Sequence, residues 1–188
     1  RIEAPGATYH ITSRGNERRD VFQTDEDRQA FLAFLGMAVR RFRWSVTAWV
    51  LMTNHFHLVL QTPQPNLSRG MQWFLGKYAG WYNARHQRVG HLFQGRFKSI
   101  LIDKDNYFRN VLRYVVLNPV RANMVERPED YRWSSYRCTI GLAEPSNWFD
   151  LRSALEPFGG VEDPLAMPAY RQFVCDKVGV EDPLWSEL

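Results

Sequence analysis

The 188 residues suit one domain with a sizeable core, or one domain with a small appendage, and a hydrophobic share of 45% excludes a disordered chain. No apolar stretch approaches the ~20 residues of a membrane span, and the start has no signal-peptide pattern; a soluble, cytoplasmic protein is expected, with a few native residues missing ahead of Arg1. The net charge of +4 conceals an asymmetry, because residues 1–143 carry 21 Lys and Arg against 11 Asp and Glu while residues 144–188 carry 3 against 9. Of the 24 cations 20 are arginine, the planar fork that suits phosphate and base edges, so the first part is expected to meet a polyanion.

ATYHITSRGN (7–16) alternates and ends in turn residues, which predicts a first strand. Thr24 then heads the acidic turn Asp25, Glu26, Asp27, and Phe31, Phe34, Leu35, Ala38, Val39 and Phe42 recur at helical spacing. Residues 44–52 and 55–62 are β-branched-rich runs around a short polar turn, a hairpin signal, and Pro63 and Pro65 stop the second. Asn66 or Ser68 can cap a second helix running to about residue 86. Residues 96–102 predict a fourth strand, and Asp103 or Asp105 a third helix in which Phe108, Val111, Leu112 and Val115 pack, ended or kinked at Asn118 by Pro119. The β-α-β-β-α-β order followed by a helix predicts an α+β, ferredoxin-like sandwich with an antiparallel sheet whose first and third strands are central. Half of the ten prolines fall beyond residue 143, where only short helices near 150–156 and 168–178 are expected. The chain therefore divides into a domain over 1–143 and an acidic, Pro-rich extension over 144–188. Cys138 and Cys175 lack disulfide or metal spacing and read as ordinary thiols.

Two histidines stand in the third strand, His55 and His57, on one face with Val59 and Gln61, while Phe56, Leu58 and Leu60 take the other. Same-face positions lie roughly 7 Å apart, a span two imidazoles can close around one ion; the alternative is a hydrogen-bonded pair beneath a helix. On the third helix Tyr114 and Asn118 are four apart and can point towards one place. A tyrosine hydroxyl can attack a phosphodiester that a cation polarises, and two imidazole nitrogens with one amide oxygen could hold that cation. Without the histidines Tyr114 would read as a core tyrosine. Tyr107 is the reserve nucleophile, Tyr78 and Tyr82 fit a packing stripe, and His10, His86 and His91 read as surface histidines or phosphate and base contacts.

At these residues the chain resembles a known family. HFH (55–57) is similar to the His-hydrophobe-His signature of HUH endonucleases, and RYVVLNPVRA (113–122) to the tyrosine motif of Y1 transposases. SRGN (13–16), LMTNHFHLVL (51–60), GHLFQGRFKS (90–99) and WSSY (133–136) resemble more specifically the REP-associated tyrosine transposases, so that the likeness covers residues 1–141. The resemblance implies His55, His57 and Asn118 as ligands of Mg²⁺ or Mn²⁺, and Tyr114 as the nucleophile of single-stranded DNA nicking and joining at hairpin or palindromic DNA. It also implies a 5′-phosphotyrosine intermediate with a free 3′-OH, in a protein acting as a monomer or a homodimer.

For DNA contacts the candidates are Arg14 and Asn16 after the first strand, Arg96 and Lys98 with Phe93 and Phe97 nearby, Arg121, and Trp133 within the cluster Tyr131, Arg132, Trp133, Tyr136, Arg137. Arg121 can equally cap a helix C-terminus, and Trp133 can equally dock a C-terminal helix. Three rivals stand beside the transposase reading. One is a non-catalytic single-stranded DNA or RNA hairpin-binding module, which would favour aromatics where His55 and His57 stand. Another is an HUH replication initiator or relaxase with the same chemistry. The third is a cellular regulator that keeps DNA binding but has lost turnover, against which the intact Tyr114, His55 and His57 weigh.

Overall fold

The computed structural model describes residues 3–102 and 106–180, the side chain of Asn106 excepted. Strand β1 (Ala7–Arg14) leads to helix α1 (Asp25–Phe42), the hairpin β2 (Ser45–Leu51) and β3 (His55–Thr62), helix α2 (Leu67–Arg85), strand β4 (Lys98–Ile102) and helix α3 (Asn106–Arg121). Three short helices follow, α4 (Tyr136–Thr139), α5 (Leu151–Leu155) and α6 (Ala166–Cys175). The sheet is antiparallel in the order β2-β3-β1-β4, the expected ferredoxin-like arrangement with β1 and β3 central.

Each face of the sheet carries its own core. Tyr9, Ile11, Phe56, Leu58 and Leu60 point towards α1 and α2, where Phe31, Leu35, Phe74 and Tyr78 meet them. The other face meets α3 through Val111, Leu112, Val115 and Val116, and the same cluster takes in Leu155, Phe158, Tyr170 and Val174 of the C-terminal segment. Burying each such side chain is worth about 1.5–3 kcal/mol relative to exposure, so the segment beyond residue 143 contributes to holding α3 against the sheet. The segment forms its short helices close to where they were expected. Among the described residues no helix is long and apolar enough to cross a membrane.

The start of α1 follows its sequence signal. Thr24 accepts from the backbone of Asp27, whose carboxylate in turn accepts from the Thr24 backbone, a reciprocal capping box. Four other expectations need correction. Asn66 stands at the N-cap of α2 but gives no side-chain cap, because its amide bridges the Trp44 indole N–H and the Phe42 carbonyl. Strand β4 begins at Lys98, leaving Arg96 in an exposed bend. Phe93 and Phe97 are buried at 8% and 7% exposure among the α1–α2 core, so neither offers a face to a stacked base. Finally, α3 continues through Pro119 to Arg121. Proline removes the donor that would serve the Val115 carbonyl, and the Asn118 side chain takes that place, its Nδ2 donating to the carbonyls of Tyr114 at 2.9 Å and Val115 at 3.4 Å. Asp103 and Asp105, the expected start of α3, lie outside the described residues.

Candidate active site

Pairing register decides which side chains α3 faces. Arg14 lies opposite His55, Thr12 opposite both His57 and Lys98, and His10 opposite Val59 and Ile100. Alternation therefore gathers Arg14, Thr12, His10, His55 and His57 on the α3 face of the two central strands. His10 and His57 are diagonal neighbours across the β1–β3 pair, a spacing that long side chains can bridge. They bridge it with a 2.9 Å contact between His10 Nε2 and His57 Nδ1, their rings near-parallel at 16° with centroids 5.1 Å apart. The His55 ring stands almost perpendicular to that of His57, 5.2 Å away.

Tyr114 descends from α3 onto this group, edge-on, with its ring 5.6 Å from both His10 and His57. Two helical turns further, the Arg121 guanidinium lies 5.1 Å from the Tyr114 ring. Burial pushes the Tyr114 phenol above its ordinary value, against the pull of the Arg121 charge and hydrogen bonding to Asn118. The histidines move the other way. Burial lowers His10 to about 4; burial and then the Arg14 charge lower His55 to about 4; burial, the neighbouring His10 and His55, and Arg14 hold His57 well below the usual imidazole range. At neutral pH all three are uncharged, the form in which an imidazole can be a metal ligand.

The hydrogen bonds indicate which atoms are available. Asn54 Nδ2 donates to the Arg18 carbonyl, so its Oδ1 faces His55 Nδ1 at 2.8 Å and can only accept. His55 is thereby protonated on Nδ1, with its lone pair on Nε2. His57 also has Nδ1 engaged, and Asn118 has Nδ2 committed to its own helix, which leaves two imidazole Nε2 atoms and one amide oxygen for a cation. Among the described residues no three His, Cys, Asp or Glu side chains converge as a metal site, so the candidate donor set is this mixed one. A cleft of about 480 Å³ between the far end of the same sheet face and α5, lined by Thr8, Thr47, Gln61, Arg109 and Glu156, does not include these groups.

Of the residues singled out from sequence, the fold brings Tyr114 against His57, His57 beside His55, Arg14 opposite His55 and Arg121 beside the Tyr114 ring, with Asn118 one turn beyond Tyr114 on α3. Lys98 is exposed on the same sheet row as His57, two strands away, about 10 Å by strand spacing. Asn16 is exposed beyond β1, its backbone N–H held by the Leu92 carbonyl. Trp133 packs at the β2 edge, its carbonyl accepting from Leu51 and its indole between the guanidinium groups of Arg28 at 5.7 Å and Arg132 at 4.6 Å. His86 accepts its place at the α1–α2 junction through a 2.8 Å contact with Asp27. His10, read from sequence as a surface-type histidine, is 2% exposed and belongs to the site. Its signal was its shared parity with Arg14 on β1, which becomes informative only once β1 is paired with β3.

The family profile described as "Transposase IS200 like" matches residues 4–118, which include β1, both strand histidines and most of α3. The chain belongs to the IS200-like transposase family. A Haemophilus influenzae protein named as a REP-associated tyrosine transposase is 26% identical over 156 residues, covering 76% of this chain and 88% of that one. A solved structure of a REP-associated tyrosine transposase bound to a REP hairpin superposes with a TM-score of 0.66 at 20% identity, over 80% of this chain and 92% of that chain. This transposase thus shares its fold with that solved structure.

Proposed function

We propose that this transposase nicks and rejoins single-stranded DNA beside a hairpin, in the cytoplasm, using Tyr114 as nucleophile and His55, His57 and Asn118 to hold Mg²⁺ or Mn²⁺. The observation that carries the reading is the seat of Tyr114, 5.6 Å from His57, whose Nδ1 is engaged by His10 and whose strand neighbour His55 has its Nδ1 engaged by Asn54. When bound, the cation would withdraw charge from the scissile phosphate. Tyr114 Oη attacks phosphorus, the bond from phosphorus to the 3′ oxygen breaks, and the 3′ oxygen leaves as a hydroxyl. The product is a 5′-phosphotyrosine that conserves the bond energy for joining. Arg121 favours the phenolate that must form, and Arg14 and Lys98 lend positive charge to the same face for the DNA backbone. Asn16, Arg96 and Trp133 are proposed to contact DNA away from the reacting centre. Residues 1–143 would form the catalytic domain and 144–188 an extension that supports α3. The protein would act as a monomer or a homodimer.

The test uses hairpin DNAs tiled from the flanks of the protein's own gene, incubated with Mn²⁺ and run on a denaturing gel. A covalent adduct is expected, lost in Tyr114→Phe and with chelator. Tight hairpin binding with no adduct under any divalent metal would instead support a binding module without turnover. In His57→Ala, divalent-metal binding should be lost while hairpin affinity survives.

A further inference from the structure

We propose that His10 is a positioning residue, whose Nε2 accepts the Nδ1 proton of His57 and so holds His57 in the tautomer that keeps its Nε2 lone pair free for a metal ion. The inference rests on the assignment of His57 as a metal ligand. A neutral imidazole has one donor and one acceptor nitrogen, so the 2.9 Å contact has only two arrangements. If His10 donated, the His57 proton would sit on Nε2 and occupy the atom a cation needs. If His57 donates, Nε2 is a ligand.

The second arrangement matches what the fold does for the neighbouring ligand, since Asn54, held by the Arg18 carbonyl, can only accept from His55 Nδ1. Both ligands would then be oriented by an acceptor behind them, as metal-bound histidines usually are. The two acceptors differ for a reason of burial. His55 is partly exposed and uses an amide from the β2–β3 turn, whereas His57 and His10 are 3% and 2% exposed. A carboxylate at that depth would be a buried charge, and a second imidazole accepts the same proton without one. The two rings lie within 16° of parallel, the alignment an in-plane N–H···N bond between them requires. Placement on adjacent central strands fixes the pair, because Thr12 opposite His57 and Val59 opposite His10 set the diagonal.

The experiment titrates Mn²⁺ into the full chain, reading free Mn²⁺ by electron paramagnetic resonance, for the native protein, His57→Ala, His10→Leu and His10→Gln. Melting curves confirm that each variant is folded. Long-range ¹H–¹⁵N spectra of the metal-free native protein read the tautomer of His57, independently of any variant. Loss of the acceptor in His10→Leu should weaken Mn²⁺ binding about 10- to 100-fold, and His10→Gln, which restores an acceptor near the Nε2 position, should recover most of it. His57 should carry its proton on Nδ1. Native Mn²⁺ affinity in His10→Leu, or a proton on His57 Nε2, would overturn the role of His10 while leaving the ligand assignment standing. Equal affinity in the native protein and His57→Ala would remove the ligand assignment, and the role of His10 with it.

Discussion

At the scale of single residues, Tyr114 carries the sharpest conflict. The residue is 7% exposed, and burial raises the pKa of a group that, as the proposed nucleophile, must lose its proton to react. Below that pKa the phenolate fraction grows about tenfold per pH unit, so single-turnover cleavage limited by chemistry should rise steadily from pH 6 to pH 9. Removing the Arg121 charge pushes the phenol higher still. Arg121→Ala should therefore cleave about 10- to 100-fold more slowly at neutral pH and recover part of the loss at alkaline pH; a pH-independent defect would mean that Arg121 acts on the DNA and not on Tyr114. The histidines set no such slope. With His55 at about 4 and His57 below the imidazole range, the proposed ligand nitrogens stay unprotonated down to acid pH, and no acid limb near 6.5 is expected from them.

The secondary-structure elements owe their limits to a few side chains. Asp27 closes the α1 capping box and also bonds His86 and the Gln23 backbone. Burial raises this carboxyl, but the hydrogen bonds from His86, Thr24 and Gln23 outweigh it and leave the group below its ordinary value. A carboxyl depressed in the folded state contributes stability that is present above its unfolded pKa, near 3.9, and is lost as pH falls through the folded value. Asp27→Asn should lower stability by about 1–2 kcal/mol at pH 7, with the deficit shrinking below pH 4, as read by urea unfolding at a series of pH values. In α3, Asn118 and Pro119 are complementary, one amide standing in for the donor that the other residue lacks. Asn118→Ala should destabilise the helix by about 1 kcal/mol, and adding Pro119→Ala, which restores a backbone N–H, should return the stability without returning metal affinity. Recovery of both would assign Asn118 a structural role only. These elements also show where sequence is readable. The Thr24 box, the HFH strand and the Tyr114–Asn118 spacing are local patterns and were legible as such. The β4 start, the burial of Phe93 and Phe97 in an irregular segment, and the place of His10 all depend on partners far along the chain, so alternation and composition do not reveal them.

For the molecule as a whole, charge and burial are distributed by different rules. Between Asp27 and Asp103 the chain has 75 consecutive residues with ten Lys and Arg and no carboxylate, a composition that favours an extended polyanion and predicts hairpin affinity falling steeply with salt. The acidic segment beyond residue 143 is joined to this body through apolar contacts, so deleting it removes core as well as charge. Phe158→Ala should cost about 3 kcal/mol of stability through loss of a buried aromatic that also meets Tyr170 and Arg109. Replacing the exposed Glu144, Glu156 and Glu162 by glutamine isolates the electrostatic part. That variant should keep its melting temperature and bind hairpin DNA more tightly at low salt, and unchanged affinity would show that the segment does not screen the basic surface. The shared cluster of α3 with Tyr170 and Val174 also sets a timetable for synthesis. While the ribosome is still making the chain, both halves of the sheet and α3 exist before the residues that bury the outer side of α3 have been translated. The helix that bears Tyr114 gains this apolar cover only once Leu155, Phe158, Tyr170 and Val174 have joined it, so α3 seats fully against the sheet later than the sheet itself forms.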